Sequence, residues 1–290
     1  MSKAIADAIK PQNDTELKIQ LNQVLSTDGT IISYRSTGTG PAILLVPGAL
    51  TLASDFDSFA TELASHFTVH IIDHRGRGQS GPQGPEYSID KECEDLHAVS
   101  SATGAKFLFG HSFGGFVILE YSKRHSDVEK VAVYEPGISI DGSVSMSWAQ
   151  EFQGQLERGR LGDAFITFIR GVNPETTGRL PRWVLRIILW WFMKPEEVER
   201  KYRLLSTIVA EHAEIARLDN TFLTYGEINA RVMLLSGGDG ESTVTGRAVK
   251  SLLAVLRDAT FASFPTLDHF GPEKDPKQVA AVVAHFFQQQ

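Results

Sequence analysis

The fold of this chain is predicted most directly from the stretch FLFGHSFGGF, residues 107–116. Its first half is apolar and β-prone, and its second half surrounds one serine, Ser112, with glycines. Glycine relieves the crowding that a sharp strand-to-helix turn imposes on its apex. Residues 110–114 fit the pattern G-x-S-x-G, and the flanking residues predict a strand before it and a helix after it. We therefore expect the serine hydroxyl to stand clear of a sheet, at the C-terminal end of a central strand where open α/β sheets bind ligands.

Strand and helix patterns alternate on both sides of this stretch. Short apolar runs predict buried strands at AILLVPG (42–48), FTVHIID (67–73), VEKVAVYEP (128–136), ARVMLLSGG (230–238) and ATFASFP (259–265). Helical patterns lie between them, and DPKQVAAVVAHFF (275–287) predicts a last helix capped by Asp275. Two further strands flank Asp28-Gly29 as a hairpin. The alternation predicts an α/β protein with a mostly parallel sheet built from right-handed crossovers.

The alternation is interrupted between residues 138 and 228. This part looks helical, and it contains all four tryptophans, at positions 148, 183, 190 and 191. The sequence therefore predicts a core domain formed by residues 1–137 and 229–290, with residues 138–228 inserted as a helical domain. The aromatic residues of the insertion either pack against the core, line an apolar pocket or form a dimer face.

Composition excludes several classes of protein. The 290 residues carry a net charge of −7, which disfavours nucleic acid or an anionic membrane as the main partner. The single cysteine, Cys93, cannot form an intrachain disulfide. The most apolar run, residues 183–193, is too short to span a bilayer and contains Arg186, so we expect no membrane span. No apolar leader is visible at the N-terminus, and we expect a cytoplasmic protein, either monomer or homodimer.

A serine needs a base to act as a nucleophile, and the base needs an acid that orients it. Among nine histidines, His269 lies in the loop between the last strand and the last helix, at the same sheet edge as Ser112. Asp239 follows the strand at 230–238 and is our preferred acid; Glu135, at the end of the strand at 128–136, is the alternative. We interpret His111 as a structural support of the turn rather than as the base.

Acyl transfer passes through an oxyanion, which needs preorganised donors. The backbone N–H of Phe113 is one candidate, because it directly follows the serine. The second donor should come from LVPGAL (45–50), the loop after the first predicted parallel strand, and Ala49 is the predicted residue. Both donors would be backbone groups.

Four segments in this order resemble the α/β-hydrolase superfamily: LVPGAL (45–50), DHRGRGQS (73–80), GHSFGG (110–115) and DHFGPE (268–273). The resemblance covers residues 18–137 and 229–288. It implies the α/β-hydrolase fold with a helical cap after the sixth strand, a structural role for the loop at 73–80, and the order Ser112, Asp239, His269. Pro47-Gly48 stands where the family commonly has His-Gly, and SGGD (236–239) departs from its usual Gly-x-x-Asp, which keeps Glu135 open.

These observations predict a serine hydrolase that cleaves an ester, lactone or related acyl bond of a small hydrophobic substrate. The resemblance implies a carboxylesterase- or lactonase-like enzyme that needs no metal and no organic cofactor. Carbon–carbon bond hydrolysis, acyl transfer and perhydrolysis use the same residues and remain alternatives. A small-molecule sensor without turnover is the alternative outside enzymes.

Overall fold

A computed structural model describes residues 18–238 and 244–289 of the chain. Within these ranges eight strands form one sheet. They are β1 Gln20–Leu25, β2 Ile31–Gly38, β3 Ala42–Val46, β4 Thr68–Ile72, β5 Phe107–His111, β6 Lys130–Tyr134, β7 Arg231–Gly237 and β8 Ala259–Phe264. The helices are α1 Asp57–Leu63, α2 Ile89–Thr103, α3 Phe113–Ser122, α4 Ala149–Glu157, α5 Leu161–Val172, α6 Arg182–Phe192, α7 Pro195–Leu204, α8 Ile208–Arg217, α9 Val244–Val255, α10 Gly271–Lys274 and α11 Pro276–Gln288.

The strand order is β1-β2-β4-β3-β5-β6-β7-β8. Strand β2 pairs antiparallel with β1 and β4, while all pairs from β4 to β8 are parallel. The predicted α/β fold with a mostly parallel sheet is thus confirmed. The predicted hairpin is present too, with Leu25 opposite Ile31 and Gly29 at a φ of 83° in the turn.

Helices cover both faces of the sheet, which explains why its central strands are continuously apolar. On β5, Leu108 faces a core layer shared with α2, α3 and α9. The next residue, Phe109, faces the opposite layer, which α1 and α11 complete. Both side chains are fully buried. The sheet edge that carries the carboxyl ends of the parallel strands is therefore held rigidly from both sides.

Helix α11 forms where the sequence predicts it. The side chain of Asp275 accepts a hydrogen bond from the N–H of Gln278 at 3.0 Å, and Pro276 occupies the first turn. The apolar face is buried, including Val279, Val283, Phe286 and Phe287. This helix fixes the end of the loop that carries His269.

The segment between β6 and β7 contains α4 to α8 and short 3-10 turns, as the sequence predicts; its separation as a domain stays a prediction. Its own apolar cluster includes Trp148, Phe152 and Phe168, and it extends to Leu50 in the loop after β3. The cluster therefore lies against that loop. No helix in the described part of the chain has the length and apolar character that crossing a bilayer takes.

Helix α6 carries large apolar side chains that are exposed to solvent. Trp183, Trp190, Trp191 and Phe192 are 64–82% exposed, whereas Leu185 of the same helix is buried. The tryptophans of the insertion thus divide into two groups. Trp148 packs inside, and the other three lie at the surface.

Candidate active site

Ser112 forms the turn between β5 and α3. Its backbone has φ 52° and ψ −118°, a region that non-glycine residues rarely adopt. Its N–H donates to the carbonyl of Tyr134 at 3.0 Å, and its own carbonyl accepts from the N–H of Gly137 at 2.9 Å. The strand–serine–helix turn predicted from the sequence is present, and neighbouring backbone holds it in a strained conformation.

The glycines around Ser112 are required by close backbone contacts. A Cβ on Gly110 would lie 2.7 Å from the carbonyl oxygen of Gly114, and a Cβ on Gly114 would overlap the carbonyl oxygen of Val46. Real Cβ atoms do not approach this closely. Helix α3 can therefore begin directly against β3 only because these positions lack side chains.

His269 and Glu135 meet at the same sheet edge. The Glu135 Oε2 atom accepts hydrogen bonds from Nδ1 of His269 at 2.7 Å and from Oγ1 of Thr245 at 2.9 Å. Its Oε1 atom accepts from the N–H of Gly237 at 2.9 Å and from the hydroxyl of Ser236 at 3.2 Å. Four donors thus converge on one buried carboxylate, and one of them is the imidazole of the predicted base.

These contacts keep Glu135 ionised. Burial alone would raise the pKa of its carboxyl, but the hydrogen bond and charge of His269, the N–H of Gly237 and the hydroxyl of Thr245 outweigh burial and lower the pKa. An ionised carboxylate only accepts hydrogen bonds, so the Nδ1 atom of His269 must carry a hydrogen. In the neutral imidazole, Nε2 is then the nitrogen that can take up a proton.

His111 ties the histidine loop to the residue that precedes Ser112. Its Nε2 atom donates to the backbone carbonyl of His269 at 2.7 Å, and the two rings are 4.9 Å apart between centroids. Burial, together with the charge of His269, lowers the pKa of His111 to about 3, so this imidazole is neutral near pH 7. Tyr134 holds the same loop by donating to the carbonyl of Asp268 at 2.7 Å. These bonds are consistent with the supporting role that the sequence suggests for His111.

The preferred acid of the sequence analysis, Asp239, lies in the range 239–243, outside the described residues. Glu135, the alternative, makes the contact with His269 that an orienting acid would make. It reaches the histidine from the turn after β6, where its backbone has a φ of 44°. Strand β6, which precedes Glu135, pairs with β7 in the sheet.

The predicted oxyanion donors belong to two segments next to Ser112. Phe113 is the first residue of α3, where backbone N–H groups lack partners inside the helix. A Cβ built on Gly48 would lie 3.1 Å from Cβ of Ser112, so the loop after β3 passes directly beside the serine. Ala49 is the next residue of that loop and is half-buried. An anion between the two segments would meet backbone donors and the N-terminal end of α3.

No group of three or more histidine, cysteine, aspartate or glutamate side chains within residues 18–238 and 244–289 is arranged to hold a metal ion. Cys93 is buried in the core layer between α2 and the sheet, and burial raises the pKa of its thiol. The polar groups described at this sheet edge are the hydroxyl of Ser112, the imidazoles of His111 and His269, the carboxylate of Glu135 and backbone groups.

Residues 43–282 match the Alpha/beta hydrolase family, and the chain belongs to this family. Two of its curated relatives are an N-formylmaleamate deformylase from Pseudomonas putida and a non-heme haloperoxidase from Rhodococcus erythropolis. The first is 28% identical over 159 residues, which are 52% of this chain and 59% of the relative. The second is 32% identical over 105 residues, which are 35% of this chain and 38% of the relative. The similarity thus spans less than two thirds of either relative.

Solved structures extend the similarity over nearly the whole chain. An alpha/beta hydrolase from Sphaerobacter thermophilus superposes with a TM-score of 0.77 at 28% identity, covering 92% of this chain and 100% of that one. An esterase from a Rhodococcus species superposes with a TM-score of 0.67 at 20% identity, covering 93% and 98%. The first match agrees with the family assignment, and the second shows a shared fold.

Proposed function

We propose that this protein is a serine hydrolase that cleaves an ester, lactone or related acyl bond of a small hydrophobic substrate through an acyl-enzyme on Ser112. The observation that carries the proposal is the hydrogen bond from Nδ1 of His269 to Glu135, at the sheet edge where Ser112 forms the strained turn. Membership of the Alpha/beta hydrolase family supports the same reaction class.

The reaction follows from the direction of these bonds. Nε2 of His269 takes the hydroxyl proton of Ser112 while the oxygen attacks the substrate carbonyl, and the imidazolium remains hydrogen-bonded to Glu135. The N–H groups of Ala49 and Phe113 stabilise the resulting oxyanion. The imidazolium then returns the proton to the leaving group. Water, deprotonated by the same histidine, hydrolyses the acyl-enzyme and frees Ser112.

We assign Glu135 rather than Asp239 as the acid. Its carboxylate is buried, ionised and held by donors from β7, α9 and the histidine loop, which is what orients an imidazole without exchanging a proton with it. The comparison between Glu135→Gln and Asp239→Asn decides the assignment, because only loss of the acid that orients His269 should impair catalysis.

The hydrophobic character of the substrate is inferred from the surroundings of the loop after β3, residues 47–52, which we call the oxyanion loop because it carries Ala49. Leu50 is part of the apolar cluster formed by α4, α5 and the end of α7, and Ala49 and Leu52 pack against its edge. A substrate that reaches the N–H of Ala49 therefore passes beside apolar side chains. We accordingly regard residues 138–228 as a cap, and the substrate as one with an apolar acyl or ring group.

The test is a substrate panel measured beside Ser112→Ala. The panel contains p-nitrophenyl esters of increasing chain length, γ-lactones and a β-diketone. These compounds test ester, lactone and carbon–carbon bond hydrolysis. An N-formyl amide is added because one relative is a deformylase. Ser122→Ala is the matched control, since Ser122 is a buried serine at the other end of α3.

We expect Ser112→Ala to abolish turnover of every accepted substrate with its thermal unfolding temperature unchanged, and Ser122→Ala to remain active. A fluorophosphonate should label the parent protein at one site per chain and leave Ser112→Ala unlabelled. Turnover that survives in Ser112→Ala contradicts the proposal. Tight binding of panel compounds without any turnover by the parent protein would favour the sensor instead.

A further inference from the structure

Two buried cationic side chains donate hydrogen bonds to backbone carbonyl oxygens of the loop after β3. Nη1 of Arg77 donates to the carbonyl of Gly48 at 2.6 Å and to that of Thr51 at 3.0 Å. Nε2 of His74 bonds the carbonyl of Pro47 at 2.9 Å. The side chains of Arg77 and His74 are 0% and 1% exposed. The loop beside Ser112 is therefore fixed by hydrogen bonds to its backbone carbonyl oxygens.

His74 is charged in this arrangement. Its Nδ1 atom lies 2.6 Å from Oε2 of Glu92, so both ring nitrogens face groups that accept hydrogen bonds, and both must carry hydrogens. Burial by itself would lower the pKa of His74, but the charge of the Glu92 carboxylate overcomes it, and the pKa is raised. Glu92 also accepts from the hydroxyl of Tyr87 at 2.9 Å.

Arg77 connects the same loop to the helical segment between β6 and β7, which contains α4 to α8. Its Nη2 atom donates to Oε1 of Glu211 on α8 at 2.5 Å, and the Glu211 side chain is 0% exposed. Two more bonds fix α8 and the turn before it to the core: Gln83 donates to the carbonyl of Thr207, and Glu214 accepts from the N–H of Ile89. One guanidinium thus joins the helical segment to the loop that carries Ala49.

The bond to Gly48 determines where the N–H of Ala49 points. In a planar trans peptide the carbonyl and the following N–H point in opposite directions, and the described chain contains no cis peptide. The Gly48 oxygen faces Arg77, so the Ala49 N–H faces away from it. Gly48 at the same time lies against Ser112, with its Cβ position 3.1 Å from Cβ of the serine.

We propose that Arg77 and Glu211 are positioning residues for the oxyanion site, with Arg77 turning the Gly48–Ala49 peptide so that its N–H faces the reacting carbonyl, and Glu211 holding the guanidinium in place. This inference rests on the proposed hydrolytic function. Within the described residues, Nε of Arg77 and Oε2 of Glu211 are buried without a hydrogen-bond partner. A buried ion pair contributes little to stability when some of its polar atoms lack hydrogen-bond partners. Stability alone therefore does not account for the pairing of Arg77 with Glu211.

The central experiment removes both charges together. In Arg77→Met/Glu211→Leu neither partner is left as an unpaired buried charge, so we expect the fold to persist. The Gly48 carbonyl loses its donor, and kcat for p-nitrophenyl butyrate should fall about 100- to 1000-fold, the loss typical of one oxyanion donor. KM should stay within about threefold, because ground-state binding does not use this peptide.

Binding of butylboronic acid gives a second readout, because its serine adduct imitates the charged tetrahedral state. Its affinity should fall in parallel with kcat in the double variant, and Arg77→Lys should recover part of both. Arg75→Met/Asp95→Leu is the matched control. Arg75 lies two residues away, pairs with Asp95 at 2.7 Å through two bonds and with the partly exposed Asp28 at 3.1 Å, and among the described contacts makes none to the oxyanion loop. We expect this control to keep kcat within about threefold.

Unchanged kcat and boronate affinity in a folded Arg77→Met/Glu211→Leu variant overturn the inference, even if Ser112→Ala is inactive. Activity in Ser112→Ala overturns the proposed function itself, so the two failures are distinguishable. If the double variant does not fold, a crystal structure of the unaltered protein with butylboronic acid decides. The inference stands if a boronate oxygen accepts from the Ala49 N–H while the Gly48 carbonyl remains on Arg77, and falls if that carbonyl has turned away.

Discussion

Replacing Glu135 with glutamine tests the orienting acid with almost no change in size. The amide has one acceptor and one donor group where the carboxylate has two acceptors. If the amide oxygen faces His269, the NH2 group points at the N–H of Gly237, and two donors meet inside the protein. If the NH2 group faces His269 and Thr245, the contacts to β7 survive, and the imidazole must accept a hydrogen bond at Nδ1.

The orientation with the NH2 group toward His269 should have the lower free energy. A buried donor left without an acceptor costs about 1–3 kcal/mol, whereas the hydroxyl of Thr245 can switch from donor to acceptor and the proton of His269 can move to the other ring nitrogen. That move places a hydrogen on Nε2, which can then no longer take the proton of Ser112. We expect kcat to fall about 10⁴-fold, which corresponds to about 5.5 kcal/mol of transition-state stabilisation.

The assay compares Glu135→Gln with Asp239→Asn on p-nitrophenyl butyrate, with the thermal unfolding temperature of each variant as the control for folding. Nitrogen-15 NMR of the histidine side chains reports the tautomer directly and should show Nε2 protonated in Glu135→Gln. The reasoning is refuted if Glu135→Gln keeps more than a tenth of the parent kcat while Asp239→Asn loses about 10⁴-fold. The acid would then be Asp239, as the sequence first suggested.

Three further predictions concern the turn at Ser112 and its support. Gly114→Ala should destabilise the protein by about 3 kcal/mol or more in urea unfolding, because the new Cβ overlaps the Val46 carbonyl; a loss under 1 kcal/mol would show that α3 can shift. Ser112→Gly should be inactive yet about 1 kcal/mol more stable than Ser112→Ala, since relief of strain at φ 52° exceeds the added chain entropy; equal stabilities would argue against strain. Burial and the charge of His269 lower the pKa of His111 from 6.5 to about 3, so between these pH values the unfolded chain binds the extra proton and stability falls as pH falls. His111→Gln should flatten this slope in thermal unfolding, and an unaltered slope would assign the pH dependence to other groups.

The position of Ser112 could be predicted because its chemistry is local. A run of apolar residues, G-x-S-x-G and a helical pattern are contiguous in the chain, and the contacts of Gly110 and Gly114 explain why no other residue type fits. His269 could be predicted for a similar reason, since the loops that follow parallel strands emerge at one edge of the sheet. Both predictions depend only on strand order and direction.

The partner of His269 could not be fixed in the same way. Strands β6 and β7 are paired neighbours in the sheet, and sequence spacing does not tell which of the carboxylates that follow them contacts the imidazole. The contact that Glu135 makes with His269 depends on the φ of 44° at Glu135 and on the Gly237 N–H that meets its side chain. These are three-dimensional details of two segments 102 residues apart.

The roles of His74 and Arg77 were missed for a related reason. The resemblance implies only a structural role for DHRGRGQS (73–80), and the sequence does not indicate which carboxylates its three basic side chains meet. The structure shows that all three are buried and paired, with Glu92, Asp95 and Glu211. Buried charge in a short loop signals that carboxylates must lie nearby, but Glu211 is 134 residues from Arg77, and only the fold brings them together.

The distribution of tryptophan gives the protein a built-in optical probe. All four tryptophans lie between β6 and β7, and none lies in the sheet. Three of them are exposed on α6, and Trp148 is buried. Intrinsic fluorescence should therefore be red-shifted and readily quenched by acrylamide, and its change on heating should come mainly from the buried Trp148 and so follow the helices between β6 and β7 rather than the sheet. Far-ultraviolet circular dichroism follows the whole fold, so a difference between the two melting temperatures would show that the helices between β6 and β7 unfold before the sheet does.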